Sequence, residues 1–394
     1  MTLFDRSLLA LPFYDDAHRE LALALEDWVA RHASAVRELA SASVQERGRR
    51  YARLLGESGW LAYAVDAPEG RPRPDLRSVC LIREALAYLD DLLDFSFAIQ
   101  GLAAAPIAWF GSPDQRERLL PALRDGSRIG SLALSEPETG SNLAALAVLA
   151  HARDGGYAVD GLKTWVSNGT IADFHCALLR TGEGPGGLGL SFLLVPADAA
   201  GLKPEAIDLL APRDFASLSF QQVSLPATAR IGEGGMGFKY AMEILNFYRV
   251  TVGAAAVGFC RRAAHAAVPW AQKRDVAGAK LIKTQFTMDK LAGLATYLDA
   301  ASLLVARSAW EFDTGVKDVA AHAAMAKLYA TDGAGAAADD VVQLFGAAGL
   351  IAGSVPEQVY RQVRALRIYE GTSEIQRMII AGAVSRPLAA GGWA

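Results

Sequence analysis

Three cysteines in 394 residues are too few for a disulfide scaffold. Cys80, Cys176 and Cys260 also lie too far apart for a metal-binding or redox spacing. A reducing cytoplasm and no metal site are the expectations. Positive charge is scarce: 39 Lys and Arg stand against 43 Asp and Glu, a net charge of −4. No basic face is implied, so neither nucleic acid nor an anionic membrane surface is an expected partner. The opening residues Met1-Thr2-Leu3-Phe4-Asp5-Arg6 lack the charged start, apolar core and small-residue cleavage site of a signal peptide. Long hydrophobic runs are missing too. The most apolar stretch, Val250 to Cys260, stops at Arg261 and Arg262, short of the ~20 residues of a membrane helix, so no membrane insertion is expected.

What remains is a globular chain, 52% hydrophobic and 21% charged, too long for one core of the usual size. Residues 1–125 read as helical: Leu21, Leu25, Trp28, Val29 and His32 share one helix face, and Leu76, Val79, Leu86 and Leu89 share another. Residues 126–235 read as β. Ala216, Leu218 and Phe220 alternate with Ser217, Ser219 and Gln221, and Tyr157 to Ser167, Ala172 to Leu179 and Phe192 to Pro196 are further strands. Asp154-Gly155-Gly156 and Gly182 to Gly189 are loops between them. From 236 to 394 the helical pattern returns, with Lys280 to Trp310 and Val319 to Leu344 rich in Ala and Leu. The layout is α+β and multidomain: helices, a β unit, helices.

Four segments carry chemistry. Tyr369-Glu370-Gly371-Thr372-Ser373-Glu374-Ile375-Gln376-Arg377-Met378 puts a carboxylate just ahead of a helix start. Ser373 and Gln376 have the spacing of a capping box, and Thr372 is an equally good N-cap. Glu370 then sits near free N–H groups and the positive end of the helix dipole, where a carboxylate can serve as a base. Leu134-Ser135-Glu136-Pro137-Glu138-Thr139-Gly140-Ser141-Asn142 follows a strand that begins near Ile129. Its turn offers N–H groups and hydroxyls to a polar ligand. In Lys163-Thr164-Trp165-Val166-Ser167-Asn168-Gly169 the two-residue period puts Trp165 and Ser167 on one side of a strand. That aromatic plane beside a hydroxyl suits a flat heteroaromatic ring, and Asn168-Gly169 then turns the chain. The fourth group is Phe247-Tyr248-Arg249, Arg274 with Gln285 eleven residues on, and Gln343-Leu344-Phe345-Gly346. Each segment alone has an ordinary reading: a cap, a surface turn, a core tryptophan, a solvated arginine.

Together and in this order the segments resemble the acyl-CoA dehydrogenase family of flavoproteins, and the likeness runs over nearly the whole chain. It includes Phe110-Gly111, Gln115, Leu120-Pro121, Gly126, Phe220-x-x-Val223-x-x-Pro226, Gly232, Gly235 and Gly237-Phe238. The resemblance implies an N-terminal α-helical domain, a central β-barrel domain and a C-terminal four-helix bundle. It also implies FAD held between the last two and completed by a neighbouring subunit of a dimer or tetramer. By resemblance Leu134, Ser135, Trp165, Val166 and Ser167 meet the isoalloxazine ring. Gly140 and Ser141 face the pyrophosphate, and Ser141 also the pantetheine arm. Arg274, Gln285, Gln343 and Gly346 reach the partner's FAD, and Thr372 and Glu374 lie by the adenosine half. Asn246, Arg249, Tyr369 and Gly371 belong with the thioester, and Glu370 matches the catalytic base. Some relatives carry the base just before the arginine matching Arg249; Tyr248 stands there instead.

The implied reaction is α,β-dehydrogenation of an acyl thioester: the base takes the α-proton, and the β-hydride goes to the flavin. An electron-transfer flavoprotein is the implied acceptor. Bulky Phe95, Phe97 and Ile99 point to a short or medium acyl chain. Four positions depart from the pattern. Asn142 stands for a common Asp, Ala277 for an aromatic, Asn246 for an acidic residue three before Arg249, and Ala365 for a frequent Asp. The change at Asn246 leaves open a carrier-protein thioester in place of CoA. A flavin monooxygenase or oxidase on the same fold is the other alternative, disfavoured by the Tyr-Glu-Gly-Thr context.

Overall fold

The structure, a computed structural model, describes residues 2–385. Its helices and strands run α1 (Arg6–Leu9), α2 (Asp16–Glu38), α3 (Val44–Glu57), α4 (Ala62–Val65), α5 (Leu76–Leu89), α6 (Asp91–Phe110) and α7 (Pro113–Arg124). Then come β1 (Gly130–Ala133), β2 (Leu149–Arg153), β3 (Gly156–Ser167), β4 (Phe174–Arg180), β5 (Leu190–Pro196), β6 (Leu202–Ala206), β7 (Phe215–Pro226) and β8 (Arg230–Ile231). The chain closes with α8 (Gly237–Lys273), the small pair β9 (Asp275–Val276) and β10 (Ala279–Lys280), α9 (Gln285–Asp313), α10 (Ala320–Phe345), α11 (Val355–Val363) and α12 (Ser373–Val384). The order is helical, then sheet, then helical.

Contacts divide the chain into two compact units. The first comprises the residues up to Val36, Leu76–Asp91, and the chain from Asn246 onward; the second is Arg37–Asp75 with Leu92–Leu245. The helices of residues 1–125 are thus shared out: α1, α2 and α5 belong with the C-terminal helices, and α3, α4, α6 and α7 with the sheet.

In the second unit the strands form one eight-stranded sheet, ordered β6-β7-β3-β2-β4-β5-β8, with β1 added parallel to β4. No ladder joins the end strands β6 and β8, so hydrogen bonding leaves the ring open. Its apolar residues still meet in one core: Leu202 of β6 clusters with Val159 and Val166 of β3, Leu218 and Phe220 of β7, and Leu193 and Val195 of β5. A sheet wrapped on one interior in this way is barrel-like. α7 starts with a full capping box between Ser112 and Gln115, and Gln115 Nε2 also donates to Thr228 O at 2.9 Å and Arg230 O at 3.1 Å, tying the helix to the lead-in of β8.

α6 corrects the expectation that no apolar run nears membrane length. It is 20 residues long, exceeding the Val250 to Cys260 stretch, and its most apolar 18-residue stretch has a mean hydropathy of 1.4, but 89% of that stretch is buried within the protein. Buried along most of its length, its few polar residues included, it is a core helix.

In the first unit α8, α9, α10 and α11 pack around Ala256, Phe259, Cys260, Ala301, Ala330, Ala334 and Val359. So many alanines let the helix axes approach closely. α9 begins at Gln285, five residues later than the composition suggested, because Thr284 is the N-cap and accepts from Thr287 N. The residues before it form the β9–β10 ladder, turned by Ala277 and Gly278, both left-handed with φ 49° and 82°.

Candidate functional site

Within the first unit, three elements converge on the turn Tyr369-Glu370-Gly371. α8 brings Asn246 and Arg249, α10 brings Lys327, and α12 brings Gln376. Glu370 and Gly371 are both left-handed, with φ 55° and 94°. For a glutamate that conformation costs on the order of 1–3 kcal/mol and persists only where its surroundings enforce it. Here two consecutive carbonyls are gripped. Glu370 O accepts from Arg249 Nε at 3.2 Å and Gln376 Nε2 at 3.3 Å; Gly371 O accepts from Gln376 Nε2 at 2.8 Å and Lys327 Nζ at 2.6 Å. A Cβ on Gly371 would stand 2.7 Å from Gln376 Nε2, so both conformation and space call for glycine.

The side chains around the turn are charged and dry. Arg249 is 4% exposed and Lys327 fully buried. Burial pulls the Arg249 guanidinium below its ordinary value, with the Glu370 carboxylate opposing. Burial likewise pulls Lys327 down to about 8, and Glu370 is the foremost charge working against it. The Tyr248 hydroxyl is pushed up by burial first and by Glu370 second. The Glu370 carboxylate thus lies within electrostatic reach of two buried cations, Arg249 and Lys327. Asn246 Oδ1 accepts from Arg249 Nη1 at 2.5 Å and so orients the arginine.

The cap of α12 is Thr372, whose hydroxyl accepts from Ile375 N at 3.4 Å. The Ser373–Gln376 capping box does not form. Ser373 donates to Asp332 Oδ1 at 2.6 Å, and the fully buried Gln376 side chain finds its acceptors in the Glu370 and Gly371 carbonyls instead. Thr372 and Glu374 open onto a polar cleft of about 300 Å³ lined also by Asp332, Arg364, Arg367 and Arg377. The exposed Glu374 carboxyl lies below its ordinary value because backbone N–H and the Thr372 hydroxyl bond it.

Arg274, Gln285, Gln343 and Gly346 are all exposed and gather at one end of the bundle. Trp270 stacks on Phe345 at 4.5 Å, joining the end of α8 to that of α10, and Lys290 bonds Asp340, joining the start of α9 to the same place. None of the four touches the Glu370 turn.

Within the second unit, the Leu134-Ser135 and Trp165-Val166-Ser167 segments are fastened together. Thr164 N donates to Ser135 O at 3.0 Å, and Lys163 Nζ donates to Leu134 O at 2.8 Å and to Glu136 Oε1 at 2.8 Å. Glu136 in turn accepts from Ala147 N and Val148 N at 2.7 and 2.9 Å. The two-residue period expected to align Trp165 with Ser167 breaks at a β-bulge, where Lys163 to Val166 opposes only Leu218 to Ala216. Trp165 takes φ 57° there, and the bulge turns its ring outward, 56% exposed, while Val166 points into the core and Ser167 is half-buried. Asn168, also left-handed at φ 55°, starts a turn closed by Ile171 and Ala172 N–H groups on its carbonyl. The turn leads to β4, two strands away, and is no hairpin. Gly140 and Ser141 are exposed on the loop after β1.

Sequence reasoning assigned no role to Lys327, Glu136 or Lys163, and gave Gln376 only the place of a capping-box partner. A signal existed for three of them: Lys327 interrupts a run of alanines, and Glu136 and Lys163 bring opposite charges to two segments already singled out.

Three family models match in chain order: acyl-CoA dehydrogenase N-terminal domain over residues 15–127, middle domain over 131–223, and C-terminal domain over 235–385. A carboxylate on a clamped turn and an outward aromatic on a bulged strand fit an oxidoreductase of that class. The chain belongs to the acyl-CoA dehydrogenase family. It is 35% identical over 346 residues to the mitochondrial short-chain specific acyl-CoA dehydrogenase of Mus musculus, covering 84% of this chain and 81% of that one. It is similar to the structure of butyryl-CoA dehydrogenase from Megasphaera elsdenii, with TM-score 0.86, 28% identity, and 94% and 99% of the two chains covered. A chain from the structure reported as electron transferring flavoprotein of Acidaminococcus fermentans is also alike, with TM-score 0.84, 28% identity, and 93% and 98% covered.

Proposed function

We propose that this protein is an FAD-dependent dehydrogenase of acyl-CoA esters with Glu370 as the base. The observation that carries the reading is the Glu370–Gly371 turn, left-handed at both residues and held through both carbonyls. Pinning the carbonyls fixes where the Glu370 carboxylate and the turn's N–H groups point. A carboxylate so placed can take the α-proton of a thioester, and an N–H donor on the turn can stabilise the enolate charge that develops on the carbonyl. The residues fit a flavin. Trp165 presents an outward aromatic ring, and Ser135 and Ser167 carry hydroxyls on the two segments fastened together there. Bound there, FAD would accept the β-hydride. In the first unit, Thr372, Glu374 and the arginines of their cleft suit the adenosine half of an FAD, and the exposed Arg274, Gln285, Gln343 and Gly346 suit the FAD of a second subunit. A homodimer or tetramer follows from that reading.

Arg249 holds the turn and, with Asn246 beside it, faces the thioester side. Bulky buried Phe95, Phe97 and Ile99 on α6 favour a short or medium acyl chain, in line with the short-chain and butyryl relatives. An electron-transfer flavoprotein is the proposed acceptor. The test is anaerobic bleaching of the bound flavin by acyl-CoA esters from butyryl to palmitoyl, with an acyl-carrier thioester alongside. Bleaching by a short-chain CoA ester is expected; no bleaching by any thioester would refute the reading.

A further inference from the structure

α10 is lined with alanine where it is buried: Ala323, Ala324, Ala326, Ala330 and Ala334 have no exposed surface. Lys327 sits among them, equally buried. A lysine in such a place is a poor packing choice. Removing its charge from water is unfavourable, and methionine of similar volume would fill the space without that penalty. Its ammonium is spent on one contact, the Gly371 carbonyl at 2.6 Å. That carbonyl belongs to the residue after Glu370, in the left-handed turn that Arg249 and Gln376 also hold.

We propose that Lys327 is a positioning residue for the Glu370 turn: its hydrogen bond fixes Gly371, and its positive charge favours the ionised Glu370 carboxylate. The inference rests on the reading of Glu370 as the base. The two functions are separable. The bond holds geometry, and the charge biases ionisation. The charged groups facing Lys327 are Glu370 on the turn, Arg249 on α8, Asp332 on α10 and Glu374 on α12. The carboxylates favour its charged form, Arg249 and burial oppose it, and by reciprocity the Lys327 cation favours the charged form of Glu370.

The test uses the flavin-loaded protein and two variants, Lys327→Met, without donor or charge, and Lys327→Gln, with a donor but no charge. Amide exchange of residues 370–376 and the pH profile of flavin reduction by butyryl-CoA are measured on each. Lys327→Met is expected to keep its flavin, to exchange faster at the turn and to reduce about 10- to 100-fold more slowly. Its acid limb should move to higher pH. Lys327→Gln should recover slow exchange yet keep the displaced acid limb. A limb that stays at the parent position in both variants overturns the electrostatic part. Unchanged exchange in Lys327→Met overturns the positioning, and does so even if the parent is not reduced by butyryl-CoA, an outcome that would count separately against the short-chain substrate reading.

Discussion

Lys163→Met is the most informative test of the second unit. Lys163 is fully buried, and its ammonium is shared between the Leu134 carbonyl and the Glu136 carboxylate, both at 2.8 Å. Methionine fills the same space and removes the charge. Glu136 then keeps only the Ala147 and Val148 N–H groups. Breaking one side of a buried ion pair costs about 3–5 kcal/mol. At roughly 2–4 °C per kcal/mol for a unit of this size, melting should fall by roughly 6–20 °C. The pH dependence has a defined sign. Burial lowers the Lys163 pKa to about 8, with Glu136 opposing. Between about 8 and the ordinary lysine value near 10.4 the unfolded chain binds a proton that the folded chain does not, so stability rises with pH through that window. Burial pushes the Glu136 carboxyl up, but Lys163 and the two N–H groups outweigh it and hold it below its ordinary value. Its contribution is therefore present above the ordinary carboxylate range and lost as pH falls through the folded value. Lys163→Met removes the alkaline rise. Flavin content should drop as well, because Leu134 and Ser135 lose their anchor. Thermal melts at several pH values, with flavin absorbance, check all three outcomes. A melting shift under about 2 °C with flavin retained would show that the pair does not hold the two segments together.

Gly371→Ala adds a Cβ at φ 94°, 2.7 Å from Gln376 Nε2, and should slow flavin reduction about 10- to 100-fold while leaving flavin content near the parent; stopped-flow bleaching measures it. Arg274→Ala alters an exposed residue and should leave the apoprotein melt unchanged while weakening FAD, as read by titrating apoprotein with FAD. Thr372→Val removes the cap of α12 and should destabilise by about 1 kcal/mol, whereas the helix start should survive Ser373→Ala, which loses only the Asp332 contact; circular dichroism melts separate the two.

The alternating β7 pattern and the helix face of residues 21–32 were legible because one buried side repeats at a fixed period, whereas α5 is buried on every side from Leu76 to Ala87 and its expected face is part of a wholly buried helix. The position of Trp165 was legible as a motif but not as geometry. Period two holds only along an unbroken strand, and the bulge between Lys163 and Val166 follows from the ladder with β7, not from local residue types. The cap of α12 was ambiguous for a related reason: Ser373 and Gln376 match a capping box locally, but Asp332 and the turn carbonyls compete for both side chains. α6 escaped as the longest apolar helix because Asp91, Asp94 and Gln100 break its run in the sequence while the fold buries them. Lys327 escaped because its acceptor, the Gly371 carbonyl, is 44 residues away along the chain.

The central claim is that Glu370 is the base, and Glu370→Gln tests it most directly. The substitution keeps the volume and removes the carboxylate. Anaerobic mixing of the flavin-loaded variant with butyryl-CoA should show flavin content near the parent, ligand binding retained, and reduction slower by more than the ~10²–10⁴-fold usual for general acid–base catalysis, since water is a poor substitute for a positioned base at a carbon acid. Glu374→Gln, four residues on and exposed, should bleach at a near-parent rate and lose FAD more readily. Bleaching of the Glu370→Gln protein at near the parent rate would contradict the account.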